Sequence, residues 1–149
     1  MYRLIASCLM WFLMIPQSGG QLKARLANGT WWAGRLEVLY NGQWSTVCDD
    51  EFDKNDGKVA CRMLGFYSPG VLVVGSSVFG AGSGEILLDD LECRGTEASL
   101  EECYHKGYYS HNCGHTEDVG VVCNNLKISV NIHTNSSRFP FMEETNGNT

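Results

Sequence analysis

The sequence predicts an α+β protein in which a mainly antiparallel sheet packs against one principal helix. Two local patterns carry this prediction. Apolar residues alternate with polar ones around an Asn-Gly pair, and further apolar residues lie at helical spacing between an aspartate and a glycine. The third observation is an even number of cysteines after an apolar leader, which indicates that disulfides hold the fold together.

The strand signals lie in the first third of the chain. Residues 35–40 carry an apolar side chain at every second position, and Asn41-Gly42 supplies the positive φ angles of a tight turn. Residues 43–48 should return as the partner strand. Apolar residues alternate in the same way over 22–26, so we expect a three-stranded antiparallel start.

One helix is predicted after the hairpin. Asp53 or Asn55 can cap its N-terminus, the apolar residues over 59–64 have helical spacing, and Gly65 ends it. Four later segments complete the prediction: a glycine-rich loop at 75–84, a strand at 85–91, a short helical turn at 96–103 and a closing strand at 119–123.

The chain divides into a leader, one domain and an extension. Residues 1–20 have a positive start, an apolar run of about twelve residues and small residues at the end, which is typical of a cleaved signal peptide rather than an uncleaved anchor. Residues 21–124 form the domain, and the protein is expected to be secreted. Within the extension 125–149, the alternating run 126–132 fits one more strand or the start of a second module, and 135–149 is polar and expected to be disordered.

Cysteine count and charge narrow the class of protein. The leader contains Cys8, so six of the seven cysteines remain, and an even count in a secreted chain implies full pairing. Without Arg3, ten Lys plus Arg face seventeen Asp plus Glu, which gives a formal charge of −7. This charge disfavours nucleic acid as a partner and suits cation binding.

Five ordered motifs carry a resemblance to a known family. They are GRLEVLYNGQW at 34–44, VCDD at 47–50, VACRMLG at 59–65, LDDLEC at 88–93 and HNCGH at 111–115. Together they resemble a scavenger receptor cysteine-rich (SRCR) domain, and the resemblance covers residues 24–123. It implies a curved, antiparallel-rich sheet of about six strands that cradles one main helix.

The resemblance places the chain in the six-cysteine group and implies its disulfides. Eight-cysteine members have an extra pair where this chain has Trp32 and Phe66, two apolar residues that could contact each other instead. The implied pairing, one of the fifteen that six cysteines allow, joins Cys48 to Cys113, Cys61 to Cys123 and Cys93 to Cys103.

A divalent-cation site is the main functional hypothesis. A bond between Cys48 and Cys113 would bring acidic residues near each cysteine together, and Ca²⁺ or Mg²⁺ prefers oxygen ligands. The resemblance assigns Asp49, Asp50 and Glu117 to one site and Asp89 with Asn112 to a second, with Asp56 as a possible additional ligand. The structural alternative is that these aspartates cap turns by accepting backbone N–H bonds.

Two weaker binding hypotheses concern other surfaces. The segment 34–44 resembles a stretch implicated in bacterial binding, with Arg35, Glu37 and Gln43 as the side chains that could face solvent, although any hairpin shows this alternation. Lys54, Lys58 and Arg62 form a basic stripe at helical spacing, which is more often a solvated face than a polyanion site.

Catalysis is not predicted. Three histidines, His105, His111 and His115, lie near cysteines, but disulfide sulfurs do not bind zinc and no hydrolase motif is present in the sequence. We expect His111 and His115 to hydrogen-bond loops near the cation site. Two sequons, at Asn28 and Asn135, offer N-glycosylation sites.

These observations together predict a secreted, non-enzymatic binding protein. Its expected ligands are microbial or polyanionic surfaces, bound through a weak Ca²⁺ or Mg²⁺ site. The alternative is a protein–protein interaction module, or a fragment of a larger SRCR-containing receptor or secreted enzyme, that docks a host extracellular protein. No membrane span is expected after removal of the leader.

Overall fold

The computed structural model describes residues 21–67 and 70–124, and these residues form one six-stranded sheet, one α-helix and two 3₁₀ turns. The strands are β1 (Lys23–Ala27), β2 (Ala33–Tyr40), β3 (Gln43–Val47), β4 (Gly70–Val74), β5 (Ile86–Leu88) and β6 (Gly120–Asn124). The helix α1 is Lys54–Met63, and the 3₁₀ turns are Leu100–Glu102 and His115–Glu117. The leader 1–20 and the extension 125–149, with the predictions made for them, lie outside the described residues.

The central strand is β2, which pairs with three others. It is antiparallel to β1 along one edge, and its opposite edge is shared by β3 and β6. The edge is divided because Arg35 pairs with Gly120 of β6 while Glu37 pairs with Thr46 of β3. The predicted three-stranded antiparallel start is therefore confirmed, and β5 adds a parallel pairing on the far side of β3.

The strand β4 was not predicted. It follows the helix, pairs antiparallel with β6 and packs its Val71 and Val73 against Gly57 of α1. A Cβ atom at Gly57 would lie 2.6 Å from Val71 Cγ1, so the glycine allows the helix to approach the strand closely. The valine-rich run at 71–74 was the available signal in the sequence.

The helix begins and ends where the sequence indicates. Asp53 is the N-cap, and its carboxylate accepts the N–H of Asn55 and of Asp56, while the Asp56 side chain accepts the N–H of Asp53. This reciprocal arrangement is a capping box, and it satisfies N–H groups that a helix start leaves without partners. Gly65 then takes φ +88° just after the helix.

Three disulfides join the elements around the core. They pair Cys48 with Cys113, Cys61 with Cys123 and Cys93 with Cys103, which is the pairing that the resemblance implies. The sheet curls into a half-barrel around α1. Leu36, Val38, Val59, Leu88 and Leu100 are fully buried between them. Among the described residues, no helix is long and apolar enough to cross a membrane.

The outer face of β2 differs from the prediction. Arg35 and Glu37 were expected to face solvent, but they are only 8% and 6% exposed. The loop 75–84 contacts Arg35, which donates to the Gly80 carbonyl at 2.6 Å and forms an ion pair with Glu37 at 2.7 Å. Glu37 also pairs with Arg25 of β1 at 2.6 Å. Burial of this charged pair is tolerated because each charge has a partner.

The apolar contact that replaces the missing disulfide also differs in detail. Phe66 stacks on Trp31, with ring centroids 5.6 Å apart, rather than on the neighbouring Trp32. The Trp32 carbonyl instead accepts the Cys123 N–H at 2.7 Å, so the backbone of Trp32 is tied to β6. The aromatic contact with Phe66 is therefore made by Trp31, one residue before the expected Trp32.

Candidate metal centre

The two acidic runs are neighbours in the structure. Cys48 forms an antiparallel bridge with Asp118, and the Asp49 N–H donates to the Glu117 carbonyl at 2.8 Å. The Cys48–Cys113 disulfide closes the same region covalently. The sequence separation of 65 residues between the cysteines is thereby reduced to a Cα–Cα distance of 6.2 Å.

Asp50 and Asp89 come together beside this disulfide. One carboxylate oxygen from each, with the two sulfurs of Cys48 and Cys113, forms a group of atoms that all lie within 4.8 Å of one another. The sulfurs are not metal ligands, because a disulfide has no thiolate. Asn112 lines the same groove, so three of the predicted ligands meet there, and they come from both predicted sites.

The carboxylate of Asp50 accepts no hydrogen bond from the part of the chain that the structure describes. Its Oδ2 lies 3.8 Å from Cys113 Sγ, but a disulfide sulfur carries no proton to donate. No N–H or O–H within residues 21–67 and 70–124 is hydrogen-bonded to this carboxylate. Asp89, which is 2% exposed, accepts the N–H of Asp90 with Oδ1. Its Oδ2 accepts no hydrogen bond from the described residues.

Negative charge is concentrated around Asp50. Desolvation raises the pKa of Asp50, and the nearby carboxylates of Asp89, Glu117, Asp49 and Asp90 raise it further. Each neighbour disfavours the ionised form of Asp50 by like-charge repulsion. A cation placed among these groups would relieve that repulsion.

Asp49 and Glu117 are partly committed to other contacts. The Asp49 carboxylate accepts the Ser76 N–H, and Glu117 Oε2 accepts the Gly114 N–H at 2.8 Å. These are the turn-capping bonds of the structural alternative. Neither residue lines the groove, but both carboxylates lie close enough to Asp50 to raise its pKa.

Asp56 is not available as a ligand, which corrects the prediction of a possible additional role. It is 1% exposed, its Oδ2 accepts the Asp53 N–H at 2.6 Å, and its Oδ1 accepts the Cys93 N–H at 2.9 Å. Desolvation raises the pKa of Asp56 to about 6, against the lowering effect of these backbone hydrogen bonds. Its role is to cap α1 and to hold the Cys93 loop.

The sequence analysis missed the basic rim of the groove. Lys106 Nζ forms an ion pair with Asp90 Oδ2 at 2.5 Å, and both residues line the groove with Asp50 and Asp89. The Asp89-Asp90 doublet was a visible signal for Asp90. Lys106 gave no signal, because its position depends on the loop that follows the Cys93–Cys103 disulfide.

His115 holds the neighbouring loop, as expected. Its Nδ1 lies 3.1 Å from Asp118 Oδ2 and its Nε2 lies 3.2 Å from the Gly84 carbonyl. Asp118 is fully buried and also accepts the Gly82 N–H at 2.6 Å. This pair therefore fixes the 75–84 loop and does not face the groove, whereas His111 lines it.

The remaining predicted residues lie elsewhere. Of the three predicted binding residues in the hairpin, Arg35, Glu37 and Gln43, only Gln43 is exposed. Arg62 donates to the Glu97 and Gly95 carbonyls, so its role is structural. Lys54 and Lys58 are the other two residues of the predicted basic stripe on α1. Asn28 is exposed, which is compatible with a glycan, and Asn135 lies outside the described residues.

The donor set fits a hard cation. Asp50, Asp89 and Asn112 offer only oxygen ligands at this groove once the amide oxygen of Asn112 is turned inward, and carboxylate oxygens suit Ca²⁺ and Mg²⁺. Because Asp89 lies beside Asp50, the groove contains negative charge, and no cationic side chain within residues 21–67 and 70–124 forms an ion pair with Asp50.

The fold and the groove define a class of protein: a small, disulfide-bonded α+β domain with an acidic surface groove. The sequence model of the scavenger receptor cysteine-rich domain matches residues 27–124, and the chain belongs to this family. SRCR domains are typically binding modules, and the domain itself is not catalytic. SRCR homologues are extracellular or cell-surface proteins.

Named relatives show the same domain in longer proteins. Lysyl oxidase homolog 4 of Bos taurus is 50% identical over 112 residues, which cover 73% of this chain and 14% of that protein. Galectin-3-binding protein of Pongo abelii is 50% identical over 92 residues, 62% of this chain and 16% of that protein. The chain thus spans less than a fifth of the length of these two relatives.

A solved structure supports the fold directly. The crystal structure of the dimeric form of the SRCR domain of mouse MARCO has a TM-score of 0.57 and 49% sequence identity. The match covers 62% of this chain and 86% of that domain. The similarity confirms the predicted fold class.

Proposed function

We propose that this protein is a secreted SRCR-domain binding protein that recognises microbial or polyanionic surface ligands through a divalent cation. The observation that carries the proposal is the placement of two carboxylates, Asp50 and Asp89, within 4.8 Å of each other, with no donor to Asp50 among the described residues. The signal-like leader at residues 1–20 supports secretion.

The chemistry of the proposed site is bridging. Calcium takes six to eight oxygen ligands, and Asp50, Asp89 and Asn112 supply only part of this number. Asp49 and Glu117 are the further candidates, each through its second carboxylate oxygen. An anionic group on a ligand completes the coordination, so the cation joins protein and ligand.

The affinity for the free cation should be weak. Extracellular modules of this kind bind Ca²⁺ with dissociation constants of roughly 0.1 to 1 mM. Weak binding suits a bridging role, because the ligand contributes to holding the ion. Ligand and cation therefore each strengthen binding of the other.

Calorimetric titration of calcium into the disulfide-intact secreted protein tests the site. We expect saturable binding in the wild type, and its loss in Asp50→Asn and in Asp89→Asn. Glu85→Gln is the matched control, because it removes one negative charge from an exposed residue outside the groove lining. Equal heats in all four proteins, or none in the wild type, would refute the cation site.

A second experiment tests the ligand class. Binding of the protein to a surface coated with a sulfated polysaccharide should occur in calcium, stop in excess chelator and fail for Asp50→Asn. Binding that is unchanged by chelator would show that the cation does not bridge, and would shift the interpretation to direct contact with the protein.

The second candidate function is a protein–protein interaction module, or a fragment of a larger receptor or secreted enzyme. The short share of each relative that the chain spans favours it, and one relative is named as a galectin-3-binding protein. Several large apolar side chains are also exposed, among them Val78, at 68%, and Tyr104, at 64%. Docking through apolar residues should survive chelation, which separates the two candidates.

A further inference from the structure

Large apolar side chains surround the point where the chain leaves the sheet. We name four of them the exit patch: Trp31, Trp32, Tyr67 and Leu72. They are 79%, 38%, 79% and 60% exposed. Single exposed apolar residues are ordinary on a protein surface, but several around one strand end indicate a surface that another segment covers.

Backbone pairing places the exit patch beside the last residue of β6. Asn124 pairs with Gly70, two residues before Leu72 in β4, and the Trp32 carbonyl accepts the N–H of Cys123. Trp31 stacks on Phe66, which brings Tyr67 into the same region. Any continuation of the chain past Asn124 therefore starts within the exit patch.

The strand β4 also has an open edge. It pairs with β6 on one side, and no strand formed by residues 21–67 and 70–124 pairs with its other side. Its Val71 and Val73 face the helix, whereas Leu72 faces the opposite side of the sheet, like its partner Val122. An edge strand with an exposed leucine is a favourable place for an additional segment to pack.

The sequence that follows β6 has the matching pattern. Between 126 and 132 the residues alternate, with Leu126, Ile128, Val130 and Ile132 separated by Lys127, Ser129 and Asn131. One face is fully apolar and the other fully polar. In an extended conformation seven residues span about 23 Å, which is longer than the five-residue β4 at about 17 Å.

From these observations we infer that residues 126–132 fold back over β4 and pack their apolar face against Leu72 of the exit patch. The polar face, with Lys127, then points to solvent. The occupant of the patch is a segment of the same chain, so the structural unit extends past Asn124 to about Ile132. This inference is independent of the cation groove.

Hydrogen exchange on the whole secreted chain tests the inference. We expect the amides of 126–132 to exchange more slowly than an unstructured peptide. Leu72→Ser and Ile128→Ser should each accelerate their exchange by roughly tenfold, because each removes a contact of one Leu-sized or Ile-sized side chain. Leu72 is 60% exposed, so its substitution leaves the buried core intact.

Matched controls exclude a general loss of structure. Tyr104→Ser alters a similarly exposed apolar residue outside the exit patch, and Asn131→Ser alters the polar face of the segment; both should leave the exchange of 126–132 unchanged. Amides of β2 should remain protected in every variant.

Three results would overturn the inference. The first is exchange of 126–132 at the rate of an unstructured peptide in the wild type. The second is protection that Leu72→Ser does not alter. The third is protection that increases with protein concentration, which would identify a second copy of the chain as the occupant.

Discussion

Two aspartates, Asp56 and Asp50, show how one residue type serves two purposes in this domain. Asp56 is 1% exposed and each of its oxygens accepts a backbone N–H, so it ties the start of α1 to the Cys93 loop. Asp50 lies beside the Cys48–Cys113 disulfide and has no protein donor among the described residues. The comparison teaches that hydrogen-bond saturation, rather than acidity, separates a structural carboxylate from a candidate ligand.

Their electrostatics differ in the same way. For both residues desolvation is the main cause that raises the pKa. Backbone donors oppose the rise at Asp56, whereas the carboxylates of Asp89 and Glu117 increase it at Asp50. A bound cation would therefore stabilise the ionised form of Asp50, while Asp56 would be affected little.

The largest effect should follow from removal of the disulfide that holds the groove together. Cys48→Ala with Cys113→Ala should lower the free energy of unfolding by about 4 kcal/mol in the chain-entropy model, because the bond closes a long loop. Calcium binding should be lost as well, since Asp50 and Asp89 are no longer held together. Urea denaturation and calorimetry measure the two effects.

The Cys93–Cys103 disulfide provides the control for that experiment. It closes a loop with a sequence separation of 10 residues, and its removal should cost roughly 3 kcal/mol. Cation binding should persist in the protein that remains folded. Equal loss of calcium binding in both double variants would show that the groove depends on general stability rather than on the Cys48–Cys113 bond.

The next effect concerns Asp56 directly. Asp56→Ala leaves the Cys93 N–H buried without its acceptor and removes one arm of the capping box, so we expect a loss of about 2 to 3 kcal/mol. Asp50→Ala should change the stability little, because no hydrogen bond is lost. Chemical denaturation of both variants without calcium checks the contrast, and similar losses would contradict it.

Much of the fold could be predicted because its signals are local. The Asn41-Gly42 turn, the Asp53 cap and the alternation in β2 each depend on residues that are close in sequence. The burial of Arg35 could not be predicted, because it depends on the distant loop 75–84. The parallel pairing of β5 with β3 is likewise a contact between distant segments.

The candidate site was predicted as residues but not as geometry. The resemblance named Asp49, Asp50, Asp89, Asn112 and Glu117, and the structure places three of them in one groove. Which carboxylates keep free oxygens depends on backbone donors supplied by other loops, such as Ser76 for Asp49. No local sequence pattern identifies those donors, because they lie far from the carboxylates along the chain.

A moderate effect is expected from pH. The folded-state pKa of Asp56 is raised to about 6 from 3.8, so the native protein binds more protons than the unfolded chain between these values. The Asp56 contribution to stability therefore decreases as pH rises from about 4 to about 6, and it is constant above that range. Urea denaturation at several pH values should show this decrease in wild type relative to Asp56→Asn. A difference that grows in the opposite direction would contradict the assignment.

The smallest effect should come from the rim of the groove. Lys106 pairs with Asp90 at 2.5 Å, and this hydrogen bond, with the charge of Asp90, raises the pKa of Lys106. Lys106 is exposed, so Lys106→Ala should change the stability little. It should also strengthen calcium binding by roughly twofold to threefold, because one repelling charge at the rim is removed in a high dielectric.

The control for the rim experiment is Lys54→Ala, which removes one exposed positive charge from the helix outside the groove lining. Because both variants change the net charge equally, a gain in calcium affinity that appears only in Lys106→Ala would come from position rather than from total charge. Equal gains would mean that the groove senses only the net charge of the protein. In that case the free carboxylate of Asp50 would no longer mark a local ion site.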